Sequence, residues 1–375
     1  MTDRFDDIRP FYDSEVNAAM WRISDSVFFP EIAEYVFPDE PLEKVRRLMR
    51  SLQTSDEFQR EVMNAAVCRT IQNSISHFSY SGLEYLSPGR RYLFVSNHRD
   101  IVLDSSLVQH VLFANGFPTT EITFGANLMC MQLLVDIGRS NKMFRVERGG
   151  GSRSFYRSSA HLSDYIRHTI LEKQRSVWIA QRNGRTKDGR DVTDQGLVKM
   201  FSLSGAGRRF DGLDELNIAP VSISYEWEPC DTLKARELYD SRGCRYEKKP
   251  GEDFKSILTG ILQQKGKVHL AFTQPLSKEE FGEAGVSGGC ELNRYVARLI
   301  DRRINDAYRL TSYNYLAADR LSGKSNYAGC YSQKDEALFD ERISRLSQEH
   351  PVADPAALVE IFLGIYGNWR LNKQG

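Results

Sequence analysis

Between residues 86 and 275, short apolar runs alternate with longer amphipathic segments, and this alternation constrains the fold more than any other feature of the chain. Apolar runs such as 92–96, 121–124 and 176–181 have the length of β-strands, whereas the segments between them have the apolar spacing of helices. Alternating strands and helices indicate an α/β sheet. We therefore predict an α/β core, with a mixed sheet covered by helices, over residues 86–275.

The regions on either side of this core have a helical pattern. Residues 1–85 are punctuated by prolines and contain apolar residues at spacings of three to four, most clearly over 42–72. The pattern after residue 275 is again helical. We predict a helical N-terminal region, 1–85, and a helical C-terminal region, 276–375. The length of 375 residues suits one large domain with appendages, or two domains.

Overall charge and cysteine content exclude several classes of protein. Lys plus Arg equals Asp plus Glu, at 50 each, so net charge gives no reason to expect nucleic acid, and we predict no nucleic-acid partner. The acidic first residues do not resemble a secretory signal, and no apolar run approaches the roughly 18 residues of a spanning helix. We expect a cytoplasmic protein with peripheral membrane contact. The six cysteines are widely spaced and form no Cys-x-x-Cys, which favours reduced thiols and predicts no metal site.

The zero net charge conceals two oppositely charged stretches. Residues 1–43 contain eleven acidic side chains against three arginines, whereas residues 142–190 contain twelve Lys or Arg against four acidic residues. Each could be an ordinary solvated surface. The basic stretch, around Arg153 and Arg157, predicts weak binding to anionic vesicles that decreases as salt is added.

The most informative local sequence is residues 96–104, SNHRDIVLD, which follows an apolar strand and opens a helix. The carboxyl ends of strands carry the binding sites of α/β sheets, so His98 is well placed for chemistry. A histidine becomes a general base when a carboxylate fixes its tautomer and stabilises the imidazolium. Asp104 and Asp100 are both candidates for that carboxylate. The alternative is that His98 caps a turn and Asp104 is merely solvated.

Other nucleotide and hydrolase motifs are absent from the sequence. His98-Arg99-Asp100 resembles a kinase catalytic loop, but the glycine-rich loop, the strand lysine and Asp-Phe-Gly of kinases do not occur. There is no Gly-x-Ser-x-Gly of a serine hydrolase and no phosphate-binding loop of the Gly-x-x-x-x-Gly-Lys type. A kinase, a serine hydrolase and a P-loop nucleotidase are therefore excluded.

Three later segments change the interpretation of His98. They are 125–128 (GANL) with 144–148 (FRVER), 178–189 (WIAQRNGRTKDG) and 218–226 (IAPVSISYE). Together with the first segment, and in this order, they resemble the four sequence blocks of the glycerolipid acyltransferase family. That family comprises the glycerol-3-phosphate and 1-acylglycerol-3-phosphate acyltransferases. The resemblance covers about residues 90–275 and is greatest to the glycerol-3-phosphate type.

The resemblance implies a role for each matching residue. His98 matches the catalytic histidine that deprotonates the acceptor hydroxyl, and Asp104 matches the aspartate that orients it. Arg148, Gly184 and Arg185 match residues that hold the acceptor phosphate, for which planar guanidinium donors are well suited. Two further substrate-binding positions are implied in the third and fourth blocks, namely Asn183, and Pro220 on the side of the acyl chain.

This sequence departs from the family pattern at three points. Five residues separate His98 from Asp104, one more than in the family, so either a tight turn absorbs the extra residue or Asp100 takes the role. Asn183 occupies the position of the family's glutamate, which removes a charge. Arg185 follows Gly184 directly, where the family has one residue between them.

The resemblance also implies the reaction. The expected enzyme is an acyltransferase of phospholipid synthesis that moves a fatty acyl group from acyl-CoA or acyl carrier protein to glycerol 3-phosphate or a lysophospholipid such as lysophosphatidate. No cofactor or metal is expected, because the thioester already carries an activated acyl group. Two alternatives remain open: acylation of a different lyso-lipid, and a catalytically silent protein of the same fold that binds lipid or acyl carrier.

Overall fold

The computed structural model of the chain describes residues 4–129, 131–147, 152–243, 246–286, 288–351 and 353–372. A seven-stranded sheet lies at its centre, with the strand order β1-β7-β6-β2-β5-β3-β4. The strands are β1 (Ile75–Ser81), β2 (Leu93–Ser96), β3 (Glu121–Gly125), β4 (Met143–Val146), β5 (Val177–Ala180), β6 (Ile218–Tyr225) and β7 (Gly266–Phe272).

The sheet is mixed. Strands β2 to β6 run parallel to one another, whereas β7 is antiparallel to β6 and β1 is parallel to β7. In the centre, Val95 of β2 lies opposite Ile179 of β5 on one side and Pro220 of β6 on the other. The carboxyl ends of β2, β3, β4 and β5 therefore meet at one edge of the sheet. The predicted fold class, a mixed sheet covered by helices with helical extensions, is confirmed.

Helices surround the sheet and extend beyond it at both ends of the chain. The N-terminal helices are α1 (Asp13–Ser24), α2 (Phe29–Val36), α3 (Leu42–Ser51), α4 (Ser55–Phe58) and α5 (Asn64–Ser74). Those between strands are α6 (Leu103–Ala114), α7 (Gln132–Ser140), α8 (Ser152–Leu171), α9 (Gln195–Leu203), α10 (Asp231–Asp240) and α11 (Glu252–Leu262). The later helices are α12 (Lys278–Gly282), α13 (Gly289–Ala307), α14 (Ser312–Ser322), α15 (Gln333–Glu349) and α16 (Pro355–Asn372).

Both faces of the sheet are buried, as expected for parallel strands with helices on each side. On β2, Leu93 and Val95 belong to the apolar cluster on one face, and Phe94 belongs to the cluster on the other. The first cluster includes side chains of α8, α9 and α13, and the second includes side chains of α6. Separate apolar clusters hold the N-terminal helices together and join α10 to α14, α15 and α16.

The N-terminal region differs from the sequence expectation in two places. The single helix predicted over 42–72 is interrupted after Ser51, because Thr54 caps a new helix: its hydroxyl accepts from the Glu57 amide at 3.1 Å, and the Glu57 carboxylate accepts from the Thr54 amide at 3.1 Å. A π-helical turn, 59–63, then joins α4 to α5. The strand β1 also lies within 1–85, where helices were expected, because its alternating aromatic residues pair with β7.

No helix among the described residues is both long enough and apolar enough to cross a membrane.

Candidate active site

The residue after β2 connects the end of this strand to its neighbour. Asn97 donates from Nδ2 to the carbonyl oxygen of Ile223 at 2.9 Å, and its Oδ1 accepts from the Ile223 amide at 2.9 Å. This side chain therefore continues the hydrogen-bond ladder between β2 and β6 for one step beyond the strand. The same Nδ2 lies 3.1 Å from Asp191 Oδ2. The hydrogen bonds of Asn97 to Ile223 and to Asp191 therefore fix the backbone that leads into His98.

The structure brings His98 and Asp104 together. His98 Nδ1 lies 3.2 Å from Asp104 Oδ2, and both side chains are buried. An ionised carboxylate can only accept hydrogen bonds, so this contact assigns the imidazole proton to Nδ1. The other ring nitrogen, Nε2, is then free of its proton and able to accept one. This is the arrangement of a general base.

Asp104 is held by three further donors. Its Oδ2 accepts from the backbone amides of Arg99, at 2.7 Å, and Asp100, at 2.8 Å, and its Oδ1 accepts from the Tyr225 hydroxyl at 2.9 Å. Burial and the adjacent Asp104 charge raise the pKa of Tyr225 well above its usual value, so this hydroxyl keeps its proton and remains a donor. Four donors therefore orient a fully buried carboxylate toward His98.

Asp100 has a different position. Its Oδ1 accepts from the backbone amides of Val102, at 3.0 Å, and Leu103, at 2.8 Å, which are at the start of α6. The carboxylate therefore closes the turn between His98 and the helix, and this turn contains the additional residue of the His-x5-Asp spacing.

The loop after β5 is anchored to the same histidine. The Thr186 amide donates to the His98 carbonyl oxygen at 2.7 Å, so the residues just before it are held close to the candidate base. Gly184 has φ +76°, and a Cβ added there would meet no atom within 4 Å. Glycine is therefore required at this position for its left-handed backbone rather than for lack of space.

Arg185 is buried beside the candidate base, with 8% of its surface exposed. Its Nη2 donates to Ser256 Oγ at 3.1 Å, whereas Nη1 has no hydrogen-bond acceptor among the described residues. A buried guanidinium with an unused donor is an evident place for an anionic group, because leaving such a donor unpaired is costly.

His98 and Arg185 line one cavity of about 80 Å³. One part of its wall is apolar and includes Phe124, Leu128 and Trp178, and another part is cationic. Such a volume holds a few waters or one phosphate-sized group, and it is far below the roughly 300–1,000 Å³ of a pocket for a whole ligand. The other described residues that line it are Ile101, Thr123, Gly125, Asn127, Ala180, Gly184, Lys187, Lys248 and Asp253.

Among the remaining predicted site residues, Arg148 lies outside the described part of the chain. Asn183 is exposed and, within the described part of the chain, does not line the cavity. Pro220 is buried inside β6, where its carbonyl oxygen accepts from the Thr273 amide at 3.0 Å and hydroxyl at 2.8 Å. The substrate-binding roles of these three residues stay predictions.

Comparison with known proteins agrees with this geometry. Residues 77–224 match the protein family described as Acyltransferase. A glycerol-3-phosphate acyltransferase of Pseudomonas syringae pv. tomato is 26% identical over 208 residues, and one of Ectopseudomonas mendocina is 26% identical over 269 residues. Over this part the chain is similar to glycerol-3-phosphate acyltransferases. The matched part is its strand-rich core, which includes the candidate dyad.

The family relatives are much longer than the matched segment. The alignments cover 55% and 67% of this chain but only 23% and 31% of the Pseudomonas syringae and Ectopseudomonas mendocina proteins. A solved structure, the 1-acyl-sn-glycerophosphate acyltransferase of Thermotoga maritima, shares 15% identity with a TM-score of 0.41, over 78% of this chain and 94% of that one.

Sequence reasoning did not find the buried ionic cluster behind the candidate site. Arg99, 1% exposed, donates to Asp191 Oδ2 from Nη2 at 2.8 Å and to Glu228 Oε2 from Nη1 at 3.1 Å. Lys234 donates to Glu228 Oε1 at 2.5 Å and to the Arg99 carbonyl oxygen at 2.7 Å. Burial alone would lower the pKa of Arg99, but the two carboxylates raise it well above its usual value. Trp369 of α16 covers this guanidinium at 5.4 Å.

A second group that was missed forms the mouth of the cavity. Lys248 pairs with Asp253 at 2.5 Å, and Asn127 donates to the other oxygen of Asp253 at 2.8 Å. Lys187 lies on the same wall, and burial lowers its pKa. No periodic pattern in the sequence joins these residues, because they come from three separate loops and the start of α11.

Proposed function

We propose that this protein is an O-acyltransferase that moves a fatty acyl group from a thioester, acyl-CoA or acyl carrier protein, to a hydroxyl of a phosphorylated glycerol. The acceptor is glycerol 3-phosphate or a lysophospholipid such as lysophosphatidate. The observation that carries this proposal is the shared cavity: His98, which Asp104 orients, lines the same small space as Arg185, whose Nη1 has no acceptor among the described residues.

The reaction follows from the orientation of the dyad. His98 Nε2 accepts the proton of the acceptor hydroxyl while the hydroxyl oxygen attacks the thioester carbonyl carbon. The imidazolium that forms is stabilised by Asp104 through Nδ1. The tetrahedral intermediate then collapses with cleavage of the C–S bond, and the sulfur leaves with the proton returned by His98. The products are an ester and a free thiol, so no cofactor enters the balance.

Arg185 supports the choice of a phosphorylated acceptor. Its Nη1 is buried and unpaired within the described residues, and a phosphate oxygen there would form a charge-assisted hydrogen bond. The apolar wall beside it suits the carbon skeleton of the acceptor or the first carbons of the acyl chain. Peripheral membrane association and a cytoplasmic location are part of the proposal, since the acceptor or the product is a lipid.

The test is steady-state turnover with both thioester donors across glycerol 3-phosphate, lysophosphatidate and other lyso-lipids. His98→Ala is expected to reduce turnover by about 10²–10⁴-fold in a folded protein. Arg185→Ala is expected to raise the acceptor KM by about 10–150-fold, with little change for the donor, because one charge-assisted contact of ~1.5–3 kcal/mol is lost. Arg185→Lys should restore only part of the affinity for the acceptor, since an ammonium lacks the planar fork of a guanidinium.

Each opposite result has a definite meaning. Undiminished turnover in His98→Ala would exclude the general-base mechanism, and absence of turnover in the unchanged protein with every donor and acceptor would identify a silent lipid- or carrier-binding protein. A normal acceptor KM in Arg185→Ala would favour a different lyso-lipid. Asn183→Glu restores the family's residue, and improved turnover in that variant would indicate an acceptor site retuned by Asn183.

A further inference from the structure

The helix α11 has an apolar face that no other described element covers. Phe254, Leu258 and Leu262 are 45%, 42% and 61% exposed. Their spacing of four residues places them in one row along the helix. On the opposite side, Ser256 and Gly260 are buried against the body of the protein.

This helix lies over the candidate active site. At its start, Asp253 lines the cavity and accepts a hydrogen bond from Asn127, which follows β3. Near its end, Gly260 packs so closely on the turn after β2 that an added Cβ would lie 2.1 Å from Asp100 Oδ2. The inner side of α11 therefore covers the edge of the sheet that carries His98, and its apolar row faces outward beside the mouth of the cavity.

We propose that the outer face of α11, defined by Phe254, Leu258 and Leu262, docks on the surface of a phospholipid bilayer. Apolar side chains on one side of a helix that lies in the interface are buried at the headgroup–acyl boundary. The cavity of about 80 Å³ holds little more than the reacting groups, so a long acyl chain must extend beyond it. A bilayer against α11 would receive such a chain where it leaves the site.

Charge and size favour a bilayer over a protein partner. The stretch around the start of α11, residues 246–263, contains Lys248, Lys249 and Lys255 against three acidic residues, so it has no net charge to attract an acidic carrier protein. Stable protein interfaces contain about 20–30 residues a side, whereas α11 has 11 residues in all. The apolar row is adequate for shallow insertion into lipid, and this binding is expected to persist in salt, unlike the weak binding predicted for the basic stretch around Arg153 and Arg157.

This inference rests on the proposed function in one respect, because the reaction explains why a lipid should approach α11. The docking itself is tested by measuring vesicle binding. The full chain is mixed with phosphatidylethanolamine–phosphatidylglycerol vesicles at low and high salt, and the bound fraction is measured by flotation. The triple variant Phe254→Gln, Leu258→Gln, Leu262→Gln is expected to lower the partition coefficient by on the order of a hundredfold. Glutamine is used because it is a good helix former.

A matched control replaces one Phe and two Leu of similar exposure on other helices: Phe113→Gln, Leu171→Gln and Leu338→Gln, whose side chains are 39%, 38% and 40% exposed. This control is expected to bind vesicles as the unchanged protein does. Turnover of glycerol 3-phosphate without vesicles is measured in parallel and should be similar in all three proteins, since none of the six residues lines the cavity in the described structure.

The outcomes separate the two proposals. The inference is overturned if the α11 variant and the control bind vesicles equally, if the unchanged protein does not bind, or if added salt alone abolishes binding. It is also overturned if the α11 variant binds vesicles normally but no longer binds acyl carrier protein, because that result would assign the face to a protein partner. Absence of turnover in every protein, with vesicle binding lost only in the α11 variant, would reject the proposed reaction and leave the docking face in place.

Discussion

Replacing Asp104 with asparagine isolates the contribution of its charge to the reaction. Oδ2 accepts from His98 and from two backbone amides, so an amide NH₂ at that position would oppose three donors. The asparagine oxygen must therefore take the place of Oδ2, and the NH₂ group faces the Tyr225 hydroxyl. The tautomer of His98 is kept, and what is lost is the negative charge beside the imidazolium.

The expected magnitude follows from this geometry. A hydrogen bond to a charged group contributes ~1.5–3 kcal/mol, so kcat should fall by about 10–150-fold in Asp104→Asn. The hydroxyl proton of Tyr225 also loses its acceptor, which should lower the free energy of unfolding by about 1–3 kcal/mol. Steady-state turnover and denaturant unfolding measure the two effects separately.

Asp100→Asn is the matched control, because this carboxylate belongs to the same turn and is equally buried. Its Oδ1 can still accept from the two amides at the start of α6, and its Oδ2 has no hydrogen-bond partner in the described structure. Turnover should stay within about threefold of the unchanged protein. If Asp100→Asn loses more turnover than Asp104→Asn, the assignment of the acid partner to Asp104 is refuted.

Three further predictions concern the stability of the fold. Burial lowers the pKa of His269 to about 4, so the stability that this group contributes is present above pH ~6.5 and is lost as the pH falls toward 4. At pH 5 the loss in the free energy of unfolding is about 2 kcal/mol. A His269→Gln protein that keeps the same pH dependence in denaturant unfolding would contradict this prediction. Arg99→Met should lower the free energy of unfolding by about 3–5 kcal/mol, because among the described residues it leaves the buried Asp191 carboxylate without an ion-pair partner and Glu228 with Lys234 alone; a loss below about 1 kcal/mol would argue against a charged Asp191. Gly260→Ala should cost about 1–3 kcal/mol in the same measurement, since its Cβ would meet Asp100 Oδ2, whereas Gly282→Ala, where an added Cβ meets nothing within 4 Å, should cost much less.

The parts of the fold that follow from local pattern could be predicted from the sequence. The central strands are short apolar runs because both faces of the sheet are buried, so β2 and β5 stand out from the helices around them. β1 was missed because it borders the sheet on one side only and carries exposed polar residues, which gives a weaker pattern. The break after Ser51 was missed because a capping box interrupts a helix without changing its apolar spacing.

The candidate site was predictable only where its residues lie close together in sequence. His98 and Asp104 are six residues apart and belong to one strand–turn–helix unit, so their proximity follows from local structure. The partners of Arg99 are 92 and 129 residues further along the chain, and their pairing depends on how separate loops meet above the sheet. No periodicity in the sequence encodes such a meeting, which is why a buried arginine next to the predicted base was not recognised.

The cover that Trp369 places over Arg99 has a consequence for the synthesis of the protein. Arg99 adjoins the candidate base, yet its carboxylate partners and this covering ring come from much later parts of the chain. At about 5–20 residues per second, roughly 13–50 seconds separate the translation of Asp104 from that of Trp369. During that interval the carboxylates of Asp191 and Glu228 emerge first, and the guanidinium of Arg99 still lacks its covering ring. We therefore expect the site to reach its final packing only after α16 has emerged from the ribosome, however complete the sheet is before then.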